Sequence, residues 1–178
     1  KIFTLDAVFN RRNDWYIAKS LDRVEGTYRT KHPQQIMMLG VVSSDGKKMP
    51  QYFFKPGEKV NTAAYYKVSR WKVLPWLRTT HPHGNYTWTQ DSAPCHTSKK
   101  VQDFCRAHMS DFWPANMWPS SSPEMNPVLE RITNKMSHSN LKALQQAICE
   151  AWDDMSEEYI RNCYASVRHR VEAVIDNN

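Results

Sequence analysis

The sequence predicts an α/β fold in which a central mixed sheet is flanked by helices. Strand-like patterns dominate the first half of the 178 residues, and amphipathic helical patterns dominate the second half. Between them, residues 86–89 alternate aromatic and threonine side chains, and this strand-like run leads to Asp91. At this length, one domain covering residues 1–178 with a substantial core is expected.

Three or four antiparallel strands are expected before the first long helix. Arg11 and Arg12 lie near the turn of a predicted hairpin, and the Asp45-Gly46 pair marks a later turn. The strands are predicted, in order, at Lys1 to Asn10, Asp14 to Lys19, Gln35 to Ser43 and Met49 to Lys55.

The first major helix follows Asn61, which has the side chain of a helix N-cap. Pro75 predicts a kink or an end in this helix. The apolar residues at helical spacing are expected in the core: Tyr65, Val68, Trp71 and Leu74. The strand leading to Asp91 is then expected to return beside the first strand.

The second half of the chain predicts further helices. A helix-compatible run extends from Ser98 to His108, and the proline-rich residues 111–119 predict an irregular segment. Two helices are predicted at Val128 to Met136 and Asn140 to Met155, and Ser156 opens the last one. One face of the second of these helices is apolar: Leu141, Leu144, Ile148, Trp152 and Met155.

Composition indicates a basic, compact domain. Twenty-four Lys and Arg against eighteen Asp and Glu give a formal charge of +6, which favours a polyanionic partner. A 40% hydrophobic content argues against disorder. The sequence contains no apolar run of about 18 residues, so no membrane partner is expected.

Asp91 is the best candidate for chemistry because it follows a predicted strand and precedes a basic helix start. A hard carboxylate oxygen in this position suits Mg²⁺ or Mn²⁺. The simpler interpretation is that Asp91 stabilises a turn or caps the next helix. The pattern alone leaves both interpretations open.

Several basic residues are candidate DNA contacts. Lys99 and Lys100 open the helix after Asp91, where their charges and free backbone N–H groups suit a phosphate. His96 suits either helix capping or DNA contact. Arg11 and Arg12, on the hairpin tip, are a third candidate for contact with the DNA backbone.

Three segments together resemble the catalytic domain of mariner-type DNA transposases. They are Leu39 to Gly46, Gln90 to Thr97, and Trp118 to Pro127, which contains the run Ser-Pro-Glu-Met-Asn-Pro. The resemblance covers essentially the whole chain and implies a ribonuclease-H-like fold. In that family, three acids hold two divalent metals, Mg²⁺ or Mn²⁺, that cut and join DNA, and Asp91 matches the second acid.

The other two acids of the family pattern are not found at matching positions. The first is expected directly ahead of Lys1. The third position corresponds to Leu129, which 37 residues separate from Asp91, and Glu130 is its acidic neighbour. A one-residue step turns a helical side chain by about 100°, so Glu130 serves only if the helix rotates. Alternatively, a short acid-containing stretch is missing between Pro127 and Val128.

The resemblance therefore implies a transposase catalytic domain that performs metal-dependent DNA strand cleavage and transfer. Its partners are expected to be transposon-end and target duplexes, with a homodimer and a nuclear location. A separate N-terminal domain would be needed to recognise specific ends. Two alternatives remain: a domesticated or decayed domain that binds DNA or protein without catalysis, and an unrelated basic scaffold.

Overall fold

A computed structural model of the chain describes residues 2–5, 20, 34–117 and 138–165. The strands are β1 (Ile2–Thr4), β2 (Gln35–Leu39), β3 (Tyr52–Phe53), β4 (Thr87–Trp88) and β5 (Asp111–Phe112). The helices are α1 (Thr62–Val68), α2 (Leu74–Thr80), α3 (Pro94–Thr97), α4 (Lys99–His108), α5 (Leu141–Asp153) and α6 (residues 157–165). A π-helical turn, Ser69–Val73, joins α1 to α2. This content of helices and strands confirms the predicted α/β class.

The first sheet is antiparallel and has the order β1, β2, β3. Phe3 pairs with Ile36, and Met38 lies two residues further along β2, so the three side chains share one face. All three are at most 4% exposed. The turn predicted at Asp45-Gly46 is present between the bridged residues Val42 and Lys48.

A second, parallel pair joins β4 to β5, with Thr87 opposite Asp111. The expected neighbour of β4 was β1, and this sheet order is not confirmed, because among the described strands β4 pairs with β5. The strand at β5 was not predicted. It is two residues long, so it shows no period, and Pro114 follows soon after it. Among the described strands, the antiparallel and the parallel pairs belong to two separate sheets, so the single central mixed sheet stays a prediction.

The helix from α1 to α2 corrects one core prediction. Trp71 was expected in the core and is 67% exposed. The Leu74 N–H donates to Ser69 O, five residues back, which defines the π turn. Pro75 has no backbone N–H, so it cannot donate a hydrogen bond to the carbonyl oxygen of Trp71, four residues earlier. The wider π turn leaves space for the proline ring beside that carbonyl. The buried face consequently moves to Val73, which is fully buried.

Two apolar clusters organise the described residues. One joins α1, α2, β4 and α4, and its members include Tyr65, Val73, Leu77, Trp88, Val101 and Phe104. The other packs α5 and α6 on the first sheet, and its members include Phe3, Met38, Leu144, Ile148, Trp152 and Ile160. The predicted apolar face of α5 is thereby confirmed. Within the described ranges, no helix has the length and apolarity needed to cross a bilayer.

Local capping agrees with the sequence. Asn61 accepts from the Ala64 N–H at 3.0 Å, Asn140 accepts from the Ala143 N–H at 2.9 Å, and Ser156 accepts from the Tyr159 N–H at 3.1 Å. These bonds satisfy N–H groups that have no partner inside their own helix. At its other end, α5 is capped by a residue distant in sequence. Lys48 Nζ donates to the backbone oxygens of Asp153, Met155 and Trp152.

Candidate functional site

Asp91 lies three residues beyond β4, in the loop that leads to α3. Its side chain is 52% exposed, so the carboxylate is accessible to solvent. Asp91 Oδ1 accepts a hydrogen bond from the Ala93 backbone N–H at 3.1 Å. This bond closes a turn of the kind that aspartate side chains stabilise. The turn-forming role that the sequence left open is therefore present, and the carboxylate remains accessible.

His96 is the close partner of Asp91. Its Nδ1 lies 2.5 Å from Asp91 Oδ1, and its side chain is 15% exposed. The contact with His96 lowers the pKa of the Asp91 carboxyl, whereas partial burial raises it and the Ala93 N–H lowers it further. The lowered pKa means that Asp91 is a carboxylate at neutral pH.

The helix-capping role considered for His96 is wrong. The N-cap of α4 is Ser98, whose Oγ donates to Cys95 O at 3.0 Å. The His96 backbone oxygen accepts from Gln102 Nε2 at 3.0 Å, while its ring packs on Tyr65 with 4.2 Å between centroids. Packing against a residue of α1 therefore orients the imidazole toward Asp91. Contact of His96 with DNA stays a prediction.

A polar network that was not predicted from the sequence lies next to this site and joins Gln90, Tyr65 and Cys105. Gln90 Nε2 donates to Tyr65 Oη at 2.5 Å, and Cys105 Sγ donates to Gln90 Oε1 at 3.8 Å. Burial raises the pKa of Tyr65, and burial raises the pKa of Cys105 to about 12, so both groups stay protonated. The one sequence signal was the position of Gln90, directly before Asp91.

Lys99 and Lys100 are exposed at the start of α4, as predicted. Lys99 Nζ lies 3.9 Å from Asp103 Oδ2, and its side chain is 92% exposed. Such a surface pair contributes little and leaves the ammonium accessible to a phosphate. Lys100 Nζ lies 4.6 Å from the centroid of the Tyr66 ring. Both lysines are available for contacts with an anion.

The remaining predicted site residues, Glu130, Arg11 and Arg12, lie outside the described residues, as does Leu129. Within residues 34–117 and 138–165, no group of three or more His, Cys, Asp or Glu residues could hold a metal ion. Asp91 is thus the one predicted acid whose surroundings the structure describes.

Two nematode transposases are similar to this sequence, although no family model matches it. The Tcb2 transposase of Caenorhabditis briggsae is 29% identical over 110 residues, which are 58% of this chain and 39% of that protein. The Tc1 transposase of Caenorhabditis elegans is 29% identical over 123 residues, which are 64% of this chain and 42% of that protein. The matched part is about two fifths of the length of these relatives.

Solved structures of the Mos1 mariner transposase share the fold. The pre-cleavage Mos1 transpososome matches with a TM-score of 0.75 at 14% identity, over 99% of this chain and 53% of that one. The Mos1 paired end complex with Mn matches with a TM-score of 0.67 at 18% identity, over 97% and 52%. The chain is therefore similar in sequence to transposases of the Tc1 type and similar in fold to the Mos1 mariner transposase. The resemblance noted in the sequence is confirmed.

The isolated catalytic domain of Mos1, solved with Raltegravir and Mn, also matches this chain in fold. Its TM-score is 0.61 at 18% identity, over 78% of this chain and 73% of that one. At these identities the likeness establishes the fold. Chemistry has to be argued from the residues of this chain.

Proposed function

We propose that the chain is a transposase-type catalytic domain of ribonuclease-H-like fold that binds duplex DNA in transposition. The observation that carries this proposal is the placement of Asp91. It is an exposed carboxylate with a lowered pKa, positioned after β4 and ahead of the basic start of α4. The similarity to the Tc1 and Tcb2 transposases supports the same interpretation.

Asp91 is proposed as one acid of a divalent-metal site. Its carboxylate is a hard donor that suits Mg²⁺ or Mn²⁺, and Mos1 complexes have been solved with Mg and with Mn. However, Oδ1 already contacts Ala93 and His96. The described residues alone do not fit a two-metal site. Metal-dependent strand cleavage and transfer stays a prediction for a site that holds all the required acids, with Glu130 as a candidate further acid.

Duplex DNA is the proposed partner because the helix that follows Asp91 in the chain begins with two cationic side chains. Lys99 and Lys100 project from the first turn of α4, where the helix dipole also favours an anion. Contacts with phosphates position a protein on DNA without reading its sequence. We therefore propose binding with little sequence preference, to transposon ends and target DNA alike. Contributions from His96, Arg11 and Arg12, a homodimer and a nuclear location stay predictions.

The test is a titration of labelled duplex DNA at two salt concentrations. Neutralised phosphates release counterions, so the logarithm of the binding constant should fall by about 0.9 per phosphate contact for each tenfold rise in salt. Equal affinities for transposon-end and scrambled duplexes are expected. An affinity that does not change with salt would reject an interface dominated by phosphates.

A second candidate function is DNA binding without catalysis, in a domesticated or decayed transposase domain. The engagement of Asp91 Oδ1 by His96 and Ala93 favours it, because the carboxylate has a structural role that needs no metal. Salt-sensitive DNA binding combined with no measurable Mn²⁺ binding would identify this candidate. Mn²⁺ binding that is lost in Asp91→Asn would identify the catalytic one.

A further inference from the structure

The segment from Lys59 to Gln90 contains no acidic residue, and it carries five cations: Lys59, Lys67, Arg70, Lys72 and Arg78. Most of this segment is the helix from α1 through the π turn to α2. Arg70, Trp71 and Lys72 are consecutive and exposed within the π turn. The outward side of this helix is therefore strongly positive.

An aromatic cluster lies within this positive surface. Arg70 Cζ lies 5.2 Å from the centroid of the Trp71 ring, and Arg70 Nη1 donates to Tyr66 Oη at 3.0 Å. Lys100 Nζ lies over the Tyr66 ring. These contacts connect four side chains of two helices into one surface, called here the Trp71 face: Tyr66, Arg70, Trp71 and Lys100.

The exposure of Trp71 distinguishes this surface from ordinary exposed apolar residues. An indole that is 67% exposed leaves most of its surface open to a ligand. Single exposed apolar residues are common and need no explanation. Here the exposed indole is held beside a guanidinium, and a second cation lies over the next ring. Basic groups alternating with open aromatic rings are typical of surfaces that bind single-stranded nucleic acid.

We propose that the Trp71 face binds an unpaired stretch of a DNA strand. One base stacks on the Trp71 indole, and Arg70 and Lys100 contact the neighbouring phosphates. An unpaired strand fits better than a duplex because bases inside a duplex stack on each other and offer no free face to an indole. Stacking accepts any base, so this site adds little sequence preference.

The position of this face relative to Asp91 suits one continuous strand. Tyr65 packs on His96, the partner of Asp91, while Tyr66, the next residue, is covered by Lys100. Trp71 follows Tyr66 by five residues, about 7 Å along a helix. The inference rests on the proposed DNA-binding function and adds a strand-specific site to it.

The experiment measures fluorescence anisotropy with three labelled probes of about 20 nucleotides, a length that exceeds typical single-strand site sizes. The probes are an oligothymidine strand, a duplex, and a strand of abasic sites with the same number of phosphates. The variants are Trp71→Ala and Trp71→Phe, and Trp113→Ala is the matched control, since Trp113 is also exposed, at 43%. Thermal unfolding verifies that each variant is folded.

Trp71→Ala should weaken binding to oligothymidine by about 5- to 150-fold, the loss expected for one stacked base. Binding to the duplex and to the abasic strand should change less than about twofold, because those probes offer no free base. Trp71→Phe should retain most of the affinity, and Trp113→Ala should behave as the wild type.

Two results would overturn the inference while leaving the proposed function intact. One is duplex binding that depends on salt, together with unchanged oligothymidine affinity in Trp71→Ala. The other is an equal loss on all three probes, which would indicate a general structural effect. A wild-type chain that binds neither duplex nor strand would overturn the proposed function as well.

Discussion

Nδ1 of His96 lies 2.5 Å from Oδ1 of Asp91, and the same oxygen accepts the Ala93 N–H at 3.1 Å. The acid that the sequence singled out is therefore part of a local turn as well as a candidate ligand. A ligand carboxylate that is held by other groups is common in metal sites. Here His96 and Ala93 contact the same oxygen, Oδ1.

The first prediction concerns catalysis. We expect the polypeptide from Lys1 to Asn178 to show no nicking of transposon-end DNA with Mg²⁺ or Mn²⁺. Mg²⁺ requires near-octahedral coordination and keeps its waters unless several ligands converge, and the described residues offer Asp91 without matching acids. Gel analysis of end-labelled duplex with each metal measures this. Nicking that disappears in Asp91→Ala would contradict the prediction and implicate Glu130 or another acid.

The second prediction concerns phosphate contacts at the start of α4. Lys99→Ala combined with Lys100→Ala should weaken duplex binding on all sequences alike. The slope of the logarithm of the binding constant against the logarithm of the salt concentration should also become shallower, by about 0.9 for each lysine that contacts a phosphate. Lys142→Ala is the matched control, because Lys142 is an exposed lysine in the first turn of α5. If Lys142→Ala produced the same change, net charge rather than a local contact would explain the effect.

The third prediction concerns Gly46, which has a φ of +100° in the turn before Lys48. A Cβ at Gly46 would lie 2.7 Å from Glu157 Cβ and 2.8 Å from Glu157 O. Gly57→Ala is the matched control, since Gly57 has a φ of +75° and a Cβ there meets no atom within 4 Å. The backbone strain should cost about 1–2 kcal/mol in both variants.

Gly46→Ala should lower the free energy of unfolding by about 1–3 kcal/mol beyond the loss in Gly57→Ala, because of overpacking against α6. Urea denaturation of the two variants measures the difference. Equal losses would show that α6 moves away from the turn at no cost.

The fourth prediction concerns the pH dependence of stability through Asp45. Burial raises the pKa of Asp45, but hydrogen bonds from Ser43 and Lys47 outweigh this effect and lower the pKa to about 2. A carboxyl whose pKa is lower in the folded chain than in the unfolded chain stabilises the fold at pH values above its unfolded pKa, which is about 3.9. It loses this contribution as the pH falls toward the folded value.

The stability advantage of the wild type over Asp45→Asn should therefore be present at pH 6. It should shrink between about pH 4 and pH 2. Urea denaturation of both proteins across this range measures the advantage. An advantage that does not vary with pH would show that the charge of Asp45 plays no part.

Features that depend on neighbouring residues were predictable from the sequence. Asn61 and Asn140 cap their helices as expected, and the apolar residues of α5 face the first sheet. Each of these features arises within a few residues, through a side chain that reaches nearby N–H groups or through a 3.6-residue period. The turn at Asp45-Gly46 has the same local origin.

Features that depend on distant residues were not predictable. The pairing of β4 with β5 was not predicted, because a two-residue strand such as β5 carries no pattern of its own. Trp71 was wrongly placed in the core, because it lies inside a π turn, where the 3.6-residue period that the prediction assumed does not hold. Neither the hydrophobic period of the sequence nor the structural propensity of these residues predicts this strand pairing or this π turn.

The candidate site combines both kinds of information. The sequence by itself determined that Asp91 follows a strand and precedes a basic helix, and its resemblance to mariner-type transposases predicted that Asp91 is one of their acids. The tertiary structure alone decided that His96 contacts Asp91, that Tyr65 of α1 orients His96, and that Gln90 joins Tyr65 to Cys105. Packing of α1 on α3 and α4 creates these contacts, and packing between segments about 30 residues apart leaves no local pattern in a single sequence.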